Sequence, residues 1–448
     1  HQQDWTRRAE WSSSDPEVAT VSETGVVRPV SDGSAVIFAK AEGVSGKVSV
    51  AVQGTAQPFT WSFRNHVIPV LTKMGCNQGA CHGALAGKNG FKLTLRGYDP
   101  PADHRALTRE SVARRVTLAD PVSSLMLLKP TAAVPHGGGK RFDPESLEYR
   151  VIAEWIAAGA PAPRRDAPDV IGLDIYPRAA TLDPGAAQQV VVNARYADGT
   201  VADVSRWAKY ATTDEAVASV DDAGMVAMTG YGEVAITVWY SSRVVDSRLT
   251  VPFPSEISDD DYRDFPRNNF IDDFVLAKLK KLRIAPSRPA TDSEFMRRAF
   301  LDATGTLPTA EQVEQFLDDT SADKRARLID SLLERDEFVD YWAYKWSDLL
   351  LVSSENLDRT AMWDFYNWIR DAVKSDKPWD DFAREILTSS GSTRRHPALN
   401  YFVIHQETPE LAENVTQAFM GQRLTCARCH NHPLEKWTQR QYYSFANL

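Results

Sequence analysis

"SSDPEVATVSETGVV" (residues 13–27) and "TTDEAVASVDDAGMV" (212–226) are one stretch written twice with minor changes. Both carry short apolar alternations of period two, broken by turn residues, which is the pattern of half-buried β-strands. The match extends outward. "WSSSDPEVATVSETGVVRPVSDGSAVIFAKAEG" (11–43) aligns almost position for position with "YATTDEAVASVDDAGMVAMTGYGEVAITVWYSS" (210–242). An internal repeat of this kind predicts two copies of one small β-sandwich. The second copy has leading strand-like runs, "VIGLDIYP" (170–177) and "QQVVVNARYADGT" (188–200). The first copy lacks them, so it is expected to be incomplete.

Around these copies the 448 residues divide into four expected domains: 1–55 and 166–255 all-β, 56–165 small and helical, 256–448 larger and helical. The fold class is therefore multidomain and mixed. "FRNHVIPVLTKMG" (63–75) and "DPESLEYRVIAEWIAAGAPAP" (143–163) read as helices framing the second segment. Leu147, Val151, Trp155 and Ile156 form a helical stripe that Gly159 and Pro161 end. In the last segment, Ile271, Val275, Leu279 and Leu282 recur at helical spacing, as do Met296, Ala299, Phe300 and Ala303. "TAEQ" (309–312) predicts a capping box. "TPE" (408–410) predicts a helix with Thr408 as cap and Pro409 at its first position. Trp342, Trp346, Trp363, Trp368, Trp379 and Trp437 are expected mainly as core anchors.

Bulk properties exclude some classes. A formal net charge of -9 leaves no basic footprint for nucleic acid or anionic lipid. No run of about 18 apolar residues is present, so no membrane span is expected. The start, "HQQDWTRRAEWSSSDPEV" (1–18), has no apolar signal region and reads like the interior of a mature chain. The aromatic end "YYSFANL" (442–448) is expected to continue into a further C-terminal domain or a cell-surface partner.

The four cysteines fall in two pairs, "CNQGACH" (76–82) and "CARCH" (426–430), each with a histidine directly behind the second cysteine. Cys-x-x-Cys-His is the attachment signature of c-type haem. Two thiols add to the two vinyl groups of the porphyrin, and the following imidazole becomes the proximal iron ligand. This reading makes Cys426 and Cys429 thioether partners and His430 a ligand. Cys76, Cys81 and His82 are the same device with a longer loop, in which Gly79 is expected to supply unusual backbone angles. Two disulfides, zinc sites and a redox dithiol compete with this reading. The disulfide reading does not ask for the two matched histidines.

A haem iron has a second axial position. For the first haem His136 is favoured, in "VPHGGGKRF" (134–142) beside a glycine run, with Met126 as runner-up. His66, Met74 and His104 are the other nearby donors. For the second haem His405 is favoured over Met420 and His396, or the site is open.

At this point the sequence resembles known families. Residues 13–27 and 212–226 resemble the bacterial immunoglobulin-like group 2 domain. "NQGACHGALAGKNGFKLTLRGYDPPADHRALTRESVARRV" (77–116) and "DPVSSLMLLKPTAAVPHGGGKRF" (120–142) look like the planctomycete-type cytochrome c domain. "MRRAFLDATGTLPTAEQVEQFL" (296–317) and "AFMGQRLTCARCHNHPLEKWTQRQYYSFANL" (418–448) look like its helical companion. The resemblance implies an exported, haem-binding protein and a class I-like cytochrome fold for 56–165. The expected function is an exported dihaem c-type cytochrome that carries electrons to redox partner proteins in the periplasm or outside the cell. A haem enzyme with one open iron and an adhesion scaffold with structural haems are the alternatives.

Overall fold

The computed structural model describes residues 4–164, 166–432, 435 and 437–448. The chain forms two compact units: one runs through Pro286, and the other comprises Ser287–His432 and Trp437–Leu448.

The first unit opens with β1 (Glu10–Ser13), β2 (Ala19–Val21), β3 (Val27–Pro29), β4 (Gly33–Ala41) and β5 (Val44–Val52). They pair as β1-β4-β5 and β2-β3. The linking helical segment holds α1 (Ile68–Lys73), α2 (Pro100–Thr108), α3 (Leu125–Leu128) and α4 (Leu147–Ala157). The second sandwich holds β6 (Val170–Tyr176), β7 (Ala179–Thr181), β8 (Ala187–Gln189), β9 (Val191–Tyr196) and β10 (Val201–Asp203). It continues through β11 (Lys209–Thr212), β12 (Ala218–Val220), β13 (Met225–Met228), β14 (Gly232–Tyr240) and β15 (Arg243–Val251).

The repeat is structural as well as sequential. β1–β5 correspond in order and pairing to β11–β15, except that β7 and β8, which have no counterparts in the first copy, also pair with β15 and β13. Both copies bend at a glycine in the left-handed region laid against an aromatic ring. A Cβ on Gly25 would sit 2.7 Å from Trp11, and one on Gly224 would sit 2.8 Å from Tyr210. In β14, Val234, Ile236 and Val238 alternate into a large core shared with Val192, Ala194 and Leu249. The first copy has counterparts of only the last five strands. Its core is reduced to Val18, Ala19 and Ala35, and Val48 stays 57% exposed.

The second sandwich grips the helical segment. The Tyr240 hydroxyl donates to the Asn65 carbonyl (3.2 Å) and the Ser242 hydroxyl to the Arg96 carbonyl (3.2 Å). The Arg96 guanidinium stacks 4.1 Å from the Trp239 ring centre, and Lys73 Nζ donates to the Arg206 carbonyl (3.0 Å). Within the helical segment, Val151, Ile152, Trp155 and Ile156 of α4 are fully buried against Phe63, Val67 and Leu127.

Two further helices, α5 (Asp259–Arg263) and α6 (Phe270–Leu282), group with this first unit rather than with the helices after them. Phe253 N–H donates to the Leu282 carbonyl, and Glu233 of β14 receives Lys278 and Lys281. Those contacts tie α6 to the sandwich. The apolar stripe of α6 is largely exposed, with Ile271 and Val275 outside and Leu276 buried.

The second unit contains α7 (Asp292–Thr304), α8 (Ala310–Asp318), α9 (Lys324–Leu333), α10 (Asp336–Leu349), α11 (Arg359–Lys374) and α12 (Trp379–Thr388). α13 (Asn400–Ile404), α14 (Thr408–Met420) and α15 (Gln439–Ala446) complete it. Met296 and Phe300 are buried as their spacing requires, and Thr309 and Gln312 form the capping box. At α14 the cap is Glu407, not Thr408; Thr408 is already helical and makes no side-chain cap. Trp363 (48% exposed) and Trp379 (40%) are not buried anchors; Trp379 stacks on Phe382 at the rim of the core.

Candidate haem-binding site

α1 ends in a Schellman arrangement. Gly75 is left-handed (φ 78°), Gly75 N–H donates to the Thr72 carbonyl, and Cys76 N–H reaches back to the Leu71 carbonyl at 2.8 Å. The chain therefore folds over the helix end and leaves Cys76 half-buried against the core. The four-residue loop then closes on itself. His82 N–H donates to the Cys76 carbonyl (3.0 Å), and Gly83 N–H donates to the Gln78 carbonyl (3.0 Å). Gly79 does not adopt the left-handed conformation expected of it. Gly75 does, and Gly83 supplies the close approach, since a Cβ there would lie 2.2 Å from the Asn77 carbonyl oxygen.

Cys76, Cys81, His82, Met126 and His136 line one cavity of about 660 Å³, within the roughly 300–1,000 Å³ of ordinary cofactor and ligand pockets. His82 and His136 lie 54 positions apart in the chain and meet only in the fold. His82 Nδ1 is 3.1 Å from the Phe91 carbonyl, and His136 Nδ1 is 2.9 Å from the Gly139 carbonyl. A carbonyl only accepts, so in each ring the proton sits on Nδ1 and Nε2 keeps its lone pair. That is the tautomer a metal-ligating imidazole needs, oriented by its outer hydrogen bond. Burial also pushes the His82 pKa down, which favours the neutral ring.

Cys76 and Cys81 are free, and burial pushes the Cys76 thiol up to about 12, against the pull of Arg141. Arg141 Nη2 lies 3.8 Å from Cys81 Sγ. The walls between them are apolar, with Leu71, Phe91, Leu93, Leu107 and Leu125. Two thiols and two Nε2 lone pairs among apolar side chains are the donor set that a covalently attached porphyrin would need. Among the described residues no group of three or more Cys, His, Asp or Glu side chains is close enough to cage a bare metal ion.

The other nearby donors are engaged elsewhere. His66 accepts from Ser62 N–H (3.0 Å) within a ring of Phe59, Trp61 and Trp207. His104 Nε2 lies 2.9 Å from the Ala160 carbonyl and packs on Phe63 and Trp155. Met74 packs against the core of the helical segment.

The second motif sits on a single tight turn, Thr425–Arg428, in the helical unit. Cys426 is half-buried and Cys429 is exposed. His430 Nδ1 lies 2.7 Å from the Asn431 carbonyl, which again leaves Nε2 as the lone pair. His405, at the end of α13, is 5% exposed and packs edge-on against Tyr401 at 4.6 Å. Its Nε2 is buried without a hydrogen-bond partner among the described residues. Its ring contact is with Tyr401 rather than with His430. Met420 is half exposed, and His396 precedes the short turn Pro397–Leu399.

Residues 2–56 match the bacterial Ig-like domain (group 2). Residues 270–448 match the PSCyt2 family, described as a protein of unknown function (DUF1549). Comparison with curated proteins finds no match. Similar solved structures include the S-layer protein rSbsC(31-844), with 10% identity, 57% of this chain and 21% of that chain covered, and a TM-score of 0.17. SbsC domains 4 and 5 show 11% identity, 56% and 72% coverage, and a TM-score of 0.16. The chain thus spans about a fifth of the first of these, and superpositions this loose carry no argument. The immunoglobulin-like part and the mixed multidomain architecture stand on the sheet topology and the family match. Among the described residues no helix is long and apolar enough to cross a membrane.

Proposed function

We propose that the protein is an exported c-type cytochrome with two covalently attached haems, and that it carries electrons. The observation that carries this reading is the cavity in which Cys76, Cys81, His82 and His136 converge. The two thiols would hold the porphyrin edge, and His82 and His136 would take its axial positions. When bound, the haem supplies a reversible one-electron couple. The chain's part is to fix both imidazoles through the Phe91 and Gly139 carbonyls and to exclude water with its apolar wall. If both imidazoles held the iron, no substrate would reach it. Cys426, Cys429 and His430 repeat the attachment chemistry in the helical unit. His405, whose buried Nε2 has no hydrogen-bond partner among the described residues, is the candidate for a second ligand there. Thioether attachment takes place outside the cytoplasm, and the Ig-like domains suit an exported protein.

Intact mass after expression with haem-attachment machinery tests this. Two additions of one haem mass each are expected; loss of four hydrogens with no addition would mean two disulfides and end the reading. Carbon monoxide separates the carrier from an open-iron enzyme. The reduced protein should not bind it at the first haem, and His136→Ala should create that binding.

A further inference from the structure

We propose that the cationic lining of the first cavity, Lys88, Arg114, Arg115, Lys129 and Arg141, with Lys88 and Arg114 exposed, is a docking surface for an acidic redox partner protein. This rests on the haem reading of that cavity. The lining contains five cationic side chains and no carboxylate, in a chain whose formal net charge is -9. Acidic residues outnumber basic ones over the whole sequence, so this local reversal of sign is not compositional.

The cations fall into two groups. Three are tied to the wall by uncharged partners. Arg115 donates to the Ala106 carbonyl (2.6 Å) and the Gly90 carbonyl (3.0 Å) and lies 4.5 Å over the Phe91 ring. Lys129 donates to the Pro135 carbonyl (3.1 Å), and Arg141 to Cys81 Sγ (3.8 Å). Their positions are fixed while their charge is left standing. The nearest counter-charge is Glu110, 3.9 Å from Arg115 with its side chain 56% exposed. The other two, Lys88 and Arg114, are exposed and have no side-chain hydrogen bond or ion pair among the described residues.

A bound porphyrin does not use up this charge. Its two carboxylates lie on the edge opposite the vinyl groups, whereas Arg141 stands at the sulfur of Cys81, on the vinyl edge. Together with Glu110, two carboxylates would still leave two of the five cations unmatched. A cleft lined by one sign over low-dielectric walls focuses the field outward and speeds encounter with the opposite charge by about 10–10³-fold. The loops that carry Lys88 and Arg114 also expose Leu85 (79%) and Val112 (77%). Apolar contacts inside a charged rim suit the small, short-lived interfaces of electron-transfer complexes. One electron passes between the iron and the partner's own redox centre, and no bond is made or broken.

Stopped-flow oxidation of the reduced full-length holoprotein tests the proposal, using hexacyanoferrate(III) as anionic oxidant and tris(phenanthroline)cobalt(III) as cationic oxidant. The hexacyanoferrate rate should fall as salt rises from 10 to 300 mM (concentrations on the order of those that screen exposed charges). Lys88→Glu/Arg114→Glu should lower it about tenfold at low salt and raise the cobalt rate, with the Soret band unchanged. Poly-L-glutamate should slow the hexacyanoferrate reaction of the native chain. Equal rates in variant and native protein would overturn the proposal, as would single-stranded DNA competing better than polyglutamate. Lys88→Gln/Arg114→Gln, expected midway, guards against a folding defect in the charge-reversed variant. Absence of a Soret band in the native protein would instead refute the haem reading beneath it.

Discussion

Acidification should loosen the seam between the helical segment and the second sandwich, through His66. Its ring is enclosed by Phe59, Trp61 and Trp207 at centroid distances of 5.5, 5.3 and 5.0 Å. Burial pulls its pKa from 6.5 down to about 4. The charged group at the edge of this ring of aromatics is Glu154, which accepts from Trp61 Nε1 (2.6 Å). The folded state therefore prefers neutral His66. Above pH 6.5 neither state is protonated and the contribution is whole. As pH falls from 6.5 towards 4 the unfolded chain takes the proton first, and stability is lost. At about 1.4 kcal/mol per unit, the loss by pH 4 is about 2–3 kcal/mol. Hydrogen exchange of residues 60–75 in the full chain, corrected for intrinsic exchange, measures it. His66→Phe should be less stable at pH 7.5 because the Ser62 N–H loses its acceptor, about 1–3 kcal/mol, but its exchange should lack this slope between pH 6.5 and 4. The same slope in variant and native chain would refute the assignment to His66.

Asp103 should act with the opposite sign. Burial raises its carboxyl to about 7 despite the Thr94 N–H and hydroxyl donors, so its contribution is whole below the unfolded value and is lost as pH rises through about 7. Asp103→Asn should gain stability relative to the native chain at pH 8 but not at pH 4, seen in the same exchange experiment. Glu233, held down to about 2 by Lys278, Lys281 and Thr250 against its burial, contributes above pH 4.5 and ceases to as pH falls through about 2. Glu233→Gln should release α6, cost about 1–2 kcal/mol as a small ion-pair network, and make residues 270–282 exchange faster at low salt. Gly224→Ala forces a Cβ to 2.8 Å from Tyr210 and 2.9 Å from the Val190 carbonyl at φ 80°. It should cost about 1–3 kcal/mol in urea denaturation; no loss would mean the bend can relax.

Much of the fold was legible because its determinants are local. The period-two runs, the turn glycines and the duplication identify both sandwiches, and the exposed Val48 of the first copy follows from its missing strands. Capping chemistry located α8 at Thr309 but misjudged α14, where Glu407 precedes the helix and Thr408 lies within it. Helical spacing alone could not say that Ile271 and Val275 would face outward, because the face a helix buries depends on what it meets. Likewise Trp363 and Trp379 carry the residue type of a core but stand at its rim.

The chain order by itself determined the two clusters of paired thiols with a trailing imidazole, on which the haem proposal rests, since these are set by spacing along a few residues. Tertiary structure decided which distant groups join them. His136 reaches the cavity of His82 because Met126, Leu127 and Phe142 share one core with Val70 and Leu71 of α1, and its ring orientation comes from the Gly139 carbonyl. The sign reversal in the cavity lining is also a product of folding: cations from four separate stretches of an acidic chain are brought to one cavity. Sequence spacing governs neighbours within a turn, whereas burial of apolar surface governs which turns become neighbours.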